Sequence, residues 1–247
     1  MSQPRDLKVI HNELLGQFAD IIRICDSHEI PYNLMCGSLL GAVRHQGFIP
    51  WDDDIDLLMT REAFTRFEQV YNDLCDDKYL LCYTNTWTPR VMSKDPSVAD
   101  VFTDIFILDY LPEGKLQKKF RLLTLKLLQG MLKKNVDYSR FSLPQKVLLF
   151  GTHVLGLPFS VGTKTRWYSK VSQATKAGTK MHMSNGAFGL LTQEWDPALF
   201  EKMDYVPFEH LSASIPVRYH EILVTLFGED YMTPPPENER VAKHLDL

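Results

Sequence analysis

Apolar residues recur every three to four positions from Leu7 to Ile24, where Leu7, Ile10, Leu14, Phe18, Ile21 and Ile22 form one stripe. That period predicts a helix with one buried face, with Pro4 placed acceptably ahead of it. Tyr32–Met35 reads as a short strand ending at a Gly37-Ser38 turn, and Leu39–Arg44 as a short helix. From Ile55 to Met59 the period shortens to two. Ile55, Leu57 and Met59 alternate with Asp54, Asp56 and Leu58, which predicts a strand with one buried face. An amphipathic helix follows over Arg61–Leu74, carrying Phe64, Phe67, Val70, Tyr71 and Leu74 on one side. Further strands are predicted at Tyr79–Tyr83, Val91–Lys94 and, as the most apolar run, Val101–Leu108; Pro112 and Gly114 then break the chain. Alternation of helix and strand through residue 112 predicts an α/β (α+β) layer architecture around a mixed sheet.

Beyond Lys115 the pattern turns helical. Lys115–Lys134 predicts a basic helix with Leu116, Phe120, Leu123, Leu127 and Met131 on one stripe, Leu143–Leu155 a more apolar helix, and Thr163–Lys176 a third. Met181–Phe188 and Tyr205–Ile215 read as irregular or strand-like, Pro216–Phe227 as a helix stopped by Gly228, and Pro234 to Arg240 as an extended segment. The expected organisation is a catalytic core over residues 1–112, a basic helical insertion over 113–180, and a C-terminal segment over 181–247 that packs back on the core.

Bulk composition narrows the function classes. Of the 247 residues, 45% are hydrophobic and 23% charged, as in a soluble globular protein large enough to bury a full core. The net charge of −4 gives no global attraction to nucleic acid. Cys25, Cys36, Cys75 and Cys82 lack Cys-x-x-Cys or metal-ligand spacing, so they read as reduced core thiols in a cytoplasmic protein. The first residues lack an apolar signal core, and apolar runs stay short of the roughly 18 residues that a spanning helix needs.

The chemistry concentrates between Gly37 and Met59. Asp54 and Asp56, two apart on a strand, point the same way with α-carbons roughly 6–7 Å apart. Adjacent carboxylates repel unless something cationic joins them, and hard divalent cations prefer carboxylate oxygen. The neighbouring Gly37-Ser38 segment can offer backbone N–H groups to phosphates. An acidic surface turn at Asp52-Asp53-Asp54 is the competing account. Asp104 lies within the most apolar strand, where a lone acid is costly unless it is paired or metal-bound. If that strand lies beside the acidic one, Asp104 completes a triad with Asp54 and Asp56, as a metal ligand or as acceptor of a hydroxyl proton. A structural aspartate bonded to backbone amides is the alternative. Asp109 reads as a turn or capping residue.

The wording Cys36-Gly-Ser-Leu-Leu-Gly-Ala-Val-Arg-His-Gln-Gly-Phe-Ile-Pro-Trp-Asp-Asp-Asp-Ile-Asp56, followed by Thr103-Asp-Ile-Phe-Ile-Leu-Asp109, resembles the LicD family within the nucleotidyltransferase superfamily. So does the ending with Pro207-Phe208-Glu209, Ile215-Pro216, Tyr219, Leu226 to Met232 and Pro234-Pro235. The resemblance brackets Tyr32 to Arg240 around a variable middle, and departs from the family's pattern only at Ile107 and Phe227. It implies a nucleotidyltransferase-like core and transfer of a phospho-alcohol, phosphocholine first, from a CDP-activated donor to a sugar hydroxyl of a surface glycan or its lipid-linked precursor, with release of CMP. It further implies Mg²⁺ or Mn²⁺ on Asp54, Asp56 and Asp104, phosphates cradled by Gly37 and Ser38, and Arg44 against the leaving nucleotide.

Several residues have two readings. Arg44 is a surface arginine or a phosphate contact; Trp51 stacks on a base or sugar, or anchors its loop; Arg90 and Lys94 are solvated bases or phosphate contacts. His45 reads as a turn residue, and Asp52 and Asp53 as loop-fixing, Asp53 also as an outer partner of the metal ligands. From Lys115 to Lys146 nine bases face one acid, Asp137. Such a helix packs its stripe on the core and solvates its basic face, or it docks on anionic lipid at the inner face of the plasma membrane. Competing functions are nucleotide transfer to a small molecule or protein, and a non-catalytic glycan- or metal-binding module.

Overall fold

The computed structural model describes residues 6–83, 87–133 and 142–240. Pro4, Lys134, Asp137 and Arg140 lie outside them. The fold is α+β with a mixed sheet, as the alternation of periods predicts. The chain divides into two compact units, Met1–Cys82 with Arg90–Phe106 and Pro197–Leu247, and Tyr83–Pro89 with Ile107–Asp196.

The first unit opens with α1 (Leu7–Ser27), capped by Asp6, whose carboxylate accepts the Lys8 N–H at 3.0 Å. Its apolar face, Ile10, Leu14, Phe18, Ile21 and Ile24, is almost wholly buried, and each such side chain contributes roughly 1.5–3 kcal/mol. Strands β1 (Asn33–Leu34), β2 (Ile55–Thr60), β3 (Tyr79–Cys82), β4 (Arg90–Ser93) and β5 (Phe102–Tyr110) stand in the order β1-β2-β5-β4-β3. Antiparallel registers place Asn33 opposite Leu58 and Arg90 opposite Asp104. Gln17 of α1 joins the start of β5, donating to the Val101 carbonyl and accepting from the Thr103 hydroxyl, both at 3.1 Å. Helix α2 (Cys36–His45) links β1 to β2, and α3 (Arg61–Leu74), capped by Thr60, follows β2.

Two expectations change here, and a third, left as irregular or strand-like, becomes definite. Gly37 and Ser38 form the first turn of α2 rather than a separate turn. Strand β2 is buried on both faces from Ile55 to Met59, because it is an interior strand between β1 and β5. Tyr205–Ile215 is a regular antiparallel hairpin of β7 (Met203–Phe208) and β8 (Leu211–Pro216).

In the second unit, α4 (Lys115–Leu132), α5 (Leu143–Gly156) and α6 (Val161–Ser172) pack with β6 (Met181–Met183) and α7 (Phe188–Thr192) around Leu125, Leu128, Met131, Leu132, Tyr168 and Leu191. Strand β6 pairs with the Leu108–Tyr110 end of β5. Asp109 is a buried strand residue accepting a 2.5 Å hydrogen bond from the Ser184 hydroxyl, not a turn residue. Helix α8 (Tyr219–Phe227) belongs to the first unit and ends at Gly228, whose φ of +91° suits glycine.

Candidate active site

The site is assembled by the short α2–β2 segment. The Met35 N–H donates to the Asp56 carbonyl at 2.9 Å, seating the start of α2 against β2. The Ser38 hydroxyl oxygen then accepts the Asp56 N–H at 2.9 Å, and the Gly37 N–H donates to the Asp56 carboxylate. The helix's first turn thus holds both the main chain and the side chain of Asp56, using donors that an α-helix leaves unpaired. A Cβ at Gly37 would lie 2.5 Å from Asp52 Oδ2, so glycine is what lets that carboxylate approach.

The loop that delivers the acids is clamped in turn. Gln46 ends α2 in the left-handed region, and a Cβ on Gly41 would collide with the Gly47 carbonyl. Glu209, at the β7–β8 turn, donates its N–H to the Gln46 carbonyl at 2.7 Å and accepts the Phe48 N–H at 3.2 Å. That gives Glu209, in the recognisable C-terminal wording, a structural role. His11 stacks on Phe48 with ring centroids 4.0 Å apart and donates to the Asp52 carbonyl at 2.8 Å.

A cavity of about 450 Å³ opens beside these residues. Cys36, Gly37, Asp52, Asp54 and Asp56 form one wall. Arg44 and Trp51 also line it, as do Phe227, Tyr231 and Glu239 from the C-terminal segment. Arg44 Nη1 donates to the Tyr231 carbonyl at 2.9 Å, and the Arg240 guanidinium lies 5.2 Å from the centre of the Trp51 ring. Burial lowers the Arg44 pKa, and the nearby Arg240 lowers it further. Two arginines that close favour an anion between them.

Acid is concentrated and buried here. Asp53, Asp54 and Asp56 are all under a tenth exposed. Burial pushes the Asp56 carboxyl well above its ordinary value; the charges of Asp54, Asp104 and Asp52 push it further, against the Gly37 hydrogen bond. The Cys36 thiol is raised by burial and the same acids. Asp104 sits on β5, the neighbour of β2, and is held by Arg90 through bonds of 2.6 and 3.3 Å. Arg90 in turn lies over the Phe102 ring at 3.7 Å.

Of the residues singled out from the sequence, Gly37, Arg44, Trp51, Asp54 and Asp56 share the cavity. Among its described lining residues, Ser38, Asp104 and Arg90 are absent: Ser38 supports Asp56 from behind, and Arg90 is engaged with Asp104. Sequence reasoning missed Cys36, Tyr231 and Glu239 as lining of this cavity and Arg240 as the neighbour of Trp51, and gave Asp52 and Asp53 only supporting roles. One carboxylate oxygen from each of Asp52, Asp53 and Asp54 falls within 4.8 Å of the others. Clustered hard oxygen donors, with Asp53 and Asp54 buried, fit a divalent cation such as Mg²⁺ or Mn²⁺.

Asp56 on β2, Asp54 just ahead of that strand, Asp104 on the adjoining strand and the first turn of α2 beside Asp56 are features of a nucleotidyltransferase-type domain. Residues 29–108 match the family model described as LicD/FKTN/FKRP, nucleotidyltransferase domain. Over 244 residues the chain is 31% identical to the lipopolysaccharide cholinephosphotransferase LicD of Haemophilus influenzae, covering 90% of this chain and 89% of that protein. It is also 32% identical over 102 residues to an uncharacterized protein of Rickettsia prowazekii, spanning 36% of this chain and 38% of that one. A 51-residue stretch, 18% of this chain, is 47% identical to 16% of an uncharacterized protein of Rickettsia typhi. The chain belongs to the LicD family.

Proposed function

We propose that the protein is a phosphotransferase that moves phosphocholine from CDP-choline to a sugar hydroxyl of a surface glycan or its lipid-linked precursor, releasing CMP. The observation that carries this is the cavity, which sets buried acids on one wall and Arg44 with an aromatic ring on another. The similarity over most of both chains to a named lipopolysaccharide cholinephosphotransferase supports the choice of group and acceptor.

Phosphoryl transfer asks mainly for positioning and charge neutralisation. Asp54 and Asp56 would hold Mg²⁺ or Mn²⁺, with Asp104 as the third carboxylate and Asp52 and Asp53 beside them; when bound, the ion neutralises diphosphate charge and polarises the attacked phosphorus. Arg44, with Arg240 near it, offsets the charge that gathers on the departing CMP. Gly37 brings the first turn of α2 against the acids on the cavity wall where the phosphates would lie, and Trp51 offers an aromatic face for the donor. Arg90 holds Asp104 in place. The acceptor hydroxyl attacks the choline-bearing phosphorus, its proton passes to a carboxylate of the cluster, and the bond to CMP breaks. A CDP-activated donor and free cysteines fit a cytoplasmic reaction.

A donor screen tests this reading. The protein is incubated with glycan, Mg²⁺ and CDP-choline, CDP-ribitol, CDP-glycerol or ATP, and products are weighed by mass spectrometry. Phosphocholine-modified glycan with matching CMP is the expected result. A nucleotide adduct from ATP, with CDP-choline untouched, would replace it with nucleotidyl transfer.

A further inference from the structure

The second unit carries a surface that transferase chemistry does not use. Helix α4 leaves Leu116, Phe120, Leu123 and Leu127 exposed, with Phe120 71% accessible. These residues belong to the stripe that the sequence leaves either packed on the core or docked on anionic lipid; its fifth member, Met131, is buried. The buried face instead runs through Arg121, Leu125, Leu128 and Leu132, where Arg121 is satisfied by the Tyr110 carbonyl and the Thr175 hydroxyl. Helix α5 repeats the pattern: Leu143, Val147, Phe150 and Val154 are exposed, Phe150 by 62%. Both sets follow the spacing i, i+4, i+7, i+11, so each helix shows one continuous apolar stripe to the outside.

The helices meet closely at small residues. A Cβ on Gly130 would run into Thr152, and one on Gly156 would lie 2.9 Å from Met131. On α4, Gly130 and Met131 continue the row of Phe120, Leu123 and Leu127 by a further turn, so α5 seats where that exposed row ends. Lysines border the same surface. Lys115, Lys118, Lys119 and Lys126, with Leu122, Leu123 and Thr192, line a shallow groove of about 380 Å³. From Lys115 to Gln193 the sequence holds fourteen Lys and Arg residues against a single acid, Asp137, in a chain whose total is 27 against 31.

We infer that the α4–α5 hairpin is an interfacial membrane anchor: its apolar stripes enter the headgroup region of an anionic bilayer while the flanking lysines engage lipid phosphates. An exposed apolar face this long ordinarily marks a binding surface, and its charge selects the occupant. Lys118 is paired with Glu194 at 2.6 Å, and with Lys115, Lys119 and Lys126 beside it the border stays net positive; two copies of such a surface repel each other, whereas an anionic leaflet complements it. The helices lie on the bilayer rather than cross it, since no helix among the described residues is long and apolar enough to span. The inference stands apart from the catalytic reading and is tested without turnover.

The full-length protein is sedimented with phosphatidylglycerol-containing vesicles and with phosphatidylcholine vesicles, at low and high salt. Binding should favour the anionic vesicles and persist in part at high salt, because the apolar stripes do not depend on ionic strength. The double substitution F120E/F150E, at exposed positions and checked for folding by circular dichroism, should lower partitioning by about tenfold or more. K119E/K126E should weaken binding chiefly at low salt. Absent binding to anionic vesicles, equal binding to both vesicle types, or binding unchanged by F120E/F150E would overturn the inference. So would a wild-type dimer that F120E/F150E converts to monomer without any vesicle binding; a second copy would then be the occupant.

Discussion

The acidic cavity of the first unit and the α4–α5 hairpin of the second depart from ordinary folding rules in opposite directions. The first buries charge: Asp53, Asp54 and Asp56 lie inside, and Asp56 is pushed toward its neutral form by its neighbours. The second exposes apolar surface: Phe120 and Phe150 face outward on helices that could have turned them in. Each departure costs stability where it occurs, and at Asp56 the Gly37 hydrogen bond opposes burial and the neighbouring charges without overcoming them. Conflicts of this kind between local structure and simple burial are expected where a partner completes the arrangement. A cation would complete the first and a lipid surface the second.

The comparison breaks most readily at the acids. Asp56→Asn should reduce CMP release from CDP-choline by about three orders of magnitude with the fold intact, whereas F120E/F150E should leave turnover on a soluble acceptor near wild type. Near-normal activity of Asp56→Asn in Mg²⁺ would remove the cavity from the chemistry. A smaller effect is expected at the arginine wall. Arg44→Ala should raise the KM for the donor by about 10- to 100-fold, and Arg240→Ala by less, because Arg44 lines the cavity itself; steady-state kinetics against donor concentration reads both.

Glycines sharpen the contrast further. Gly41→Ala should destabilise by about 1–3 kcal/mol, since the new methyl meets the Gly47 backbone, which cannot swing away. Gly151→Ala, on the exposed side of α5 with open space around it, should stabilise by about 0.5–1 kcal/mol through helix propensity. Urea denaturation of the two variants measures both signs. If Gly41→Ala proves neutral, the loop carrying the acids is less tightly held than its contacts indicate.

Much of the first unit was legible from period alone. The α1 stripe and the burial of Phe64, Phe67 and Tyr71 on α3 follow directly from spacing, because an amphipathic helix on a core has one solution for its apolar face. Asp54 and Asp56 stood out because charge interrupts a strand period. Periodicity could not say that β2 is interior, since an alternating strand reads the same with one face buried or two. Nor could spacing reveal that the tail beyond Phe227 returns to the cavity, because Tyr231, Glu239 and Arg240 are brought there by long-range contacts. On α4 spacing identified the stripe and left its direction open between core and lipid. An apolar face must meet something apolar, and sequence does not distinguish a core from a membrane.

The central claim is that the acid cluster is held in the fold against its own repulsion and awaits a cation. Because the native Asp56 pKa lies above its ordinary 3.8, the folded state retains a proton that the unfolded chain releases. Metal-free stability should therefore fall as pH rises from near 4 through the native pKa, and the full penalty should stand above it. Thermal melts of wild type and Asp56→Asn at neutral pH, in EDTA and in Mg²⁺, test this directly. The account predicts that Asp56→Asn melts about 2–4 °C above wild type in EDTA, and that Mg²⁺ raises the wild-type melting temperature but not that of the variant. A variant less stable than wild type in EDTA, yet equally stabilised by Mg²⁺, would contradict it.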